Sequence, residues 1–72
     1  MTADEWIEKF AQDLGARAPD EATVAELLEL AATAAHASER IAAPIACYLA
    51  GVTGAPLPQA REIADGIGGE GG

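Results

Sequence analysis

The chain has 72 residues, half of them hydrophobic, and twelve acids against four bases give it a formal net charge of −8. That length allows one domain, and the charge argues against nucleic acid and anionic membranes, both of which need clustered Lys and Arg. The single cysteine excludes an internal disulfide, and no zinc-type Cys/His spacing is present. Eighteen residues are alanine, and only sixteen side chains are larger apolar ones. A core built from so few is small for its surface, so oligomerisation or docking on a partner would supplement it.

Thr2-Ala3-Asp4-Glu5 fits a capping box, with Glu5 reaching back to Thr2. Trp6, Ile7, Phe10, Ala11 and Leu14 then recur at helical spacing and form one apolar face. Gly15 stands where a left-handed terminating residue is wanted, so the first helix spans about Ala3–Leu14. Asp20 can cap a second helix, with Thr23 and Glu26 as a rival capping box. Along that helix Val24, Leu27, Leu28, Ala31, Ala34 and Ala35 line the expected inner face, while Glu26, Glu29 and Thr33 look outward.

From Ile41 to Ala60 no residue is charged. A helix apolar all round has no solvent face and has to be enclosed. Pro44, Gly51, Gly54, Pro56 and Pro58 interrupt the stretch, leaving it too short as a helix for about 30 Å of hydrocarbon. The spacing predicts a break near Ala37–Glu39, then a third helix to about Thr53 that is irregular near Pro44 and stopped by Gly54. One long helix kinked at Pro44 is the alternative. Pro58 suits the start of a short fourth helix, with Ala60, Ile63, Ala64 and Ile67 as its stripe and Arg61 paired to Asp65. No strand pattern is present. The expected fold is all-α: a compact bundle of three to four short helices with a central apolar third helix over 1–68, then a disordered Gly-rich tail at 69–72.

Few residues invite chemistry. Cys47 lies among apolar neighbours and reads as a core residue, not as a reactive thiol. His36 and Arg40 stand four apart. They could bind an anion or a partner carboxylate, or His36 could support the turn with Arg40 paired to an acid of the first helix. Together His36, Arg40, Pro44 and Tyr48 are the candidate partner-binding residues. The acids Asp20, Glu21, Glu26 and Glu29 lack the Glu-x-x-His pattern of helical metal sites, and phosphate-loop, dinucleotide and nucleophile motifs are absent. Neither catalytic nor metal-binding residues are expected, nor a cofactor held by this chain alone. The acidic start MTADEW lacks the basic-then-apolar order of a signal peptide, so the expected location is the cytoplasm.

The run Leu30–Gly51 places Leu30-Ala31 before His36, Arg40, Ala42-Ala43-Pro44, Tyr48-Leu49 and Gly51. With Glu5-Trp6-Ile7 and Glu26-Leu27-Leu28-Glu29, it resembles a small bacterial helical domain family of unassigned function. Members of that family are often labelled molybdopterin-guanine dinucleotide biosynthesis proteins, and they can occur beside or fused to the guanylyltransferase that completes the molybdenum cofactor. The resemblance implies a non-catalytic accessory protein docking on a molybdenum-dependent oxidoreductase, or on the guanylyltransferase or other cofactor-assembly machinery. A homodimer joined through the uncharged helix is the second expectation. A carrier using Ser38 or Gly71-Gly72 is the third, although Ser38 lacks the Asp-Ser-Leu setting of acyl carrier proteins. The terminal diglycine likewise lacks the sheet of sulfur carriers.

Overall fold

The computed structural model describes residues 1–67. It contains four helices: α1 (Ala3–Leu14), α2 (Glu21–Ala37), α3 (Ala42–Thr53) and α4 (Leu57–Gly66). The all-α class therefore holds, with no strand among the described residues. The tail at 69–72 and the Gly71-Gly72 carrier lie outside those residues.

Local chemistry sets each boundary. Thr2 and Glu5 close the capping box reciprocally: the Glu5 amide donates to Thr2 Oγ1 at 3.1 Å, and the Thr2 amide to Glu5 Oε1 at 2.8 Å. Gly15 ends α1 in the left-handed region at φ 77°, and Gly54 ends α3 at φ 72°. A side chain at either position would be strained there. Asp20 prevails over the rival box, its carboxylate accepting from the Thr23 amide at 2.8 Å. The break before the third helix falls where the spacing predicts, since α2 ends at Ala37 with Ser38 as its C-terminal cap. Pro44 is then the third residue of α3. Its missing N–H falls in the first turn, where no intrahelical acceptor exists, so the helix tolerates it without a kink. Leu57 opens α4 and Pro58 follows in its first turn.

The packing centres on α2, which contacts both α3 and α4. The sequence reading places the uncharged third helix at the centre, and the longer α2 takes that position instead. Its inner face is also shifted. Leu30 is the most buried side chain of the described core, 3% exposed, whereas Leu28 is 65% exposed. Leu30 sits in a cleft with Ala46, Ala50, Ala60 and Ala64, so α2 meets its two neighbours over small side chains. Besides Leu30, the buried apolar residues among those described are Ala11 and Ala50. The helices extend over 41 × 24 × 18 Å with a radius of gyration of 13.2 Å, against about 11 Å for a typical domain of this length.

One ion-pair group ties α4 to α2. Arg61 Nη1 donates to Glu26 Oε1 at 3.1 Å, and Nη2 lies 3.7 Å from Glu29 Oε1. The expected Arg61–Asp65 pair is therefore replaced by a contact between helices. Glu26 is part-buried, so its pair with Arg61 loses less strength to water than a pair within one exposed helix, whereas Glu29 is exposed and its contact is screened.

Candidate docking surfaces

The apolar face of α1 divides in two. Ala11 is buried, and Ile7 borders a cleft with Ala18, Pro19 and Val24 at the start of α2. Trp6, Phe10 and Leu14, one turn apart along the helix, remain 55%, 50% and 66% exposed. The Trp6 and Phe10 rings stack with centroids 5.0 Å apart, which stiffens the pair. Lys9 and Asp13 flank the pair in a shallow cleft, whereas Asp4 and Glu8 line the opposite flank of α1 beside Ile7. Lys9 is the sole base on α1, and Asp13 neutralises it at 3.2 Å. The result is an aromatic ridge on a helix that carries four acids and one base.

The sequence reading assigns this whole face to the core. Periodicity identifies an apolar face, but not whether the same chain covers it. The available signal is volume: the α2 residues that border α1 are Glu21 and Val24, which cannot enclose an indole and a phenyl ring.

The second open surface belongs to α3. Its inner side, through Ala46, Cys47 and Ala50, meets the other helices, and the Cys47 thiol makes a weak 3.8 Å contact to the Leu27 carbonyl. That placement fits the structural reading of Cys47. The outer side carries Ile41, Pro44, Ile45, Tyr48, Leu49 and Val52, all exposed. Beside it an open apolar groove of about 310 Å³ is lined by Ala34, Ala42, Ile45, Leu49, Ala64 and Ile67.

The candidate residues His36, Arg40, Pro44 and Tyr48 occupy the corner between α2 and α3 and the first half of α3, and all four are exposed. His36 is therefore not a half-buried support for the turn. No hydrogen bond joins His36 to Arg40 among the described residues, and Arg40 forms no ion pair with α1 there. Ser38 is exposed in the same corner.

The electrostatics are otherwise quiet. Asp20 is held below the ordinary carboxylate range by hydrogen bonding from Thr23, through its side chain and then its backbone amide, and weak desolvation opposes this. No group of three or more His, Cys, Asp or Glu residues able to hold a metal occurs among the described residues. No described helix is long and apolar enough to cross a membrane.

A family profile described as a domain of unknown function, DUF6457, matches residues 1–68. The chain belongs to this family. The match spans all four helices, so both open surfaces lie within the DUF6457 domain. No curated protein and no solved structure matches the chain.

Proposed function

We propose that this chain is a non-catalytic helical accessory module that docks on another protein. The observation that carries the reading is the exposed Trp6–Phe10–Leu14 ridge of α1. Tryptophan and large apolar side chains anchor interfaces, and a ridge this apolar is costly to leave in water. The net acidic charge of α1 suits a partner with a basic surface, which would speed encounter and reject acidic competitors. Arg40 and His36, exposed at the α2–α3 corner, offer a second contact to a partner carboxylate.

The partner class rests on the resemblance of Leu30–Gly51 to domains labelled as molybdopterin-guanine dinucleotide biosynthesis proteins. It points to a molybdenum-dependent oxidoreductase, or to the guanylyltransferase that completes its cofactor.

The test is affinity capture from the native host with the wild type and two variants, Phe10→Glu and Arg40→Glu. The wild type enriches a molybdenum enzyme or the guanylyltransferase. Phe10→Glu loses most of that enrichment and Arg40→Glu part of it, while both keep their helix content. Added salt slows association. Capture of no molybdenum-linked protein overturns the partner class, and a Phe10→Glu variant that captures as well as wild type overturns the role of the ridge.

A further inference from the structure

We propose that the outer face of α3 is closed by a second copy of this chain, in an antiparallel two-fold contact. The inference is independent of heterologous docking through α1.

Three observations support it. The first is surface area. The accessible surface is 5588 Å², whereas a folded chain of 7.3 kDa ordinarily exposes about 4,200 Å². The difference of about 1,400 Å² is spread over the whole chain, the α1 ridge included, and the outer face of α3 is one of its large apolar parts. Ile41, Tyr48 and Val52 are among the most exposed large apolar residues, at 74%, 66% and 61%. The groove beside Ile45 and Leu49 widens the face beyond one helix.

The second observation is charge. Two copies of a chain with net charge −8 repel each other wherever their carboxylates face. Acids crowd α1 and α2, whereas α3 has none and its uncharged run continues to Ala60. The outer face of α3 is thus a place where two such chains can meet without opposed acids.

The third observation is pattern. Ile41, Pro44, Ile45, Tyr48, Leu49 and Val52 follow the three- and four-residue spacing of a helix–helix seam. The set is also symmetric about its own midpoint. Reversing one helix against another sets Ile41 opposite Val52, Pro44 opposite Leu49, and Ile45 opposite Tyr48, so each residue finds a partner from the same set. Such self-complementarity is what an isologous two-fold interface requires. The antiparallel sense also brings Arg40 of each copy toward the C-terminal end of the other α3, where the helix dipole favours a cation. In this arrangement Pro44 and Tyr48 belong to the self-contact, and His36 and Arg40 stand at its edge.

Analytical ultracentrifugation of the full chain tests the proposal. The wild type sediments as two chains from millimolar concentration downward. Tyr48→Glu and Leu49→Ser each sediment as one chain, with helix content retained because both side chains lie outside the described core. Phe10→Glu remains a dimer, which separates this contact from the α1 ridge. Oxidation of an equimolar mixture of Ile41→Cys and Val52→Cys proteins yields a disulfide-linked heterodimer. A monomeric wild type overturns the proposal and leaves the face to another protein. Dimeric Tyr48→Glu and Leu49→Ser, or a monomeric Phe10→Glu, also overturn it. Efficient crosslinking of Ile41→Cys to itself overturns the antiparallel pairing.

Discussion

At the scale of single residues, the caps set where the helices begin and end. Asp20 fixes the start of the helix on which α3 and α4 pack, and its bonding to Thr23 holds its carboxyl below the usual value. A carboxyl depressed in the folded state contributes stability above its unfolded pKa, and that contribution disappears as pH falls through the folded value. Acidification from neutral should therefore weaken the chain only on the far acid side, as Asp20 protonates. Asp20→Asn should keep the cap, since Asn also accepts a hydrogen bond at this position, and should flatten the Asp20 part of that acid limb. Asp20→Ala should lower the melting temperature at neutral pH as well. Thermal melts of the three proteins across the acid range check this, and equal acid limbs in wild type and Asp20→Asn would contradict it.

At the scale of elements, the sequence discloses where each helix begins and ends but not what each helix touches. Thr2, Gly15, Asp20 and Gly54 act on their own neighbours within a turn, so their effects can be read locally. Arg61 shows the opposite case. Asp65 is in reach along α4, yet the guanidinium bridges to Glu26 on α2, thirty-five residues away in the chain. The choice depends on the angle at which α4 returns after Pro56, which no local spacing encodes. The division of α1 into the Ala11 side and the Trp6–Phe10 side is equally non-local, as is the burial of Leu30 in place of Leu28. Arg61→Ala should loosen α4 and cost about 1 kcal/mol, since the pair is only part-buried. Chemical denaturation measures that cost. Hydrogen exchange should show the faster opening confined to α4 and the facing part of α2, and an unchanged α4 would sink the idea.

At the scale of the whole molecule, a scant core meets a large excess of negative charge. Eight of the twelve acids fall within the first thirty residues, so repulsion concentrates on α1 and the start of α2. Moderate salt screens it, with a Debye length of about 10 Å at 0.1 M. The melting temperature should therefore rise with added sodium chloride, even though the Arg61 group weakens under the same conditions. Calorimetry over a salt series at neutral pH decides the sign. A falling melting temperature would mean that attraction between helices outweighs the net charge.

The chain contains one tryptophan and one tyrosine. Trp6 stands on the ridge of α1 and Tyr48 on the outer face of α3, both open to solvent. Each surface thus carries its own optical label. Indole emission excited at the red edge of its absorption follows the environment of α1 alone, while the phenol band, which the indole overlaps, reports on α3 once Trp6 is replaced by Phe. Coverage of the α1 ridge is therefore readable in the unmodified protein, and coverage of α3 in a Trp6→Phe protein, without a dye or a reporter fusion.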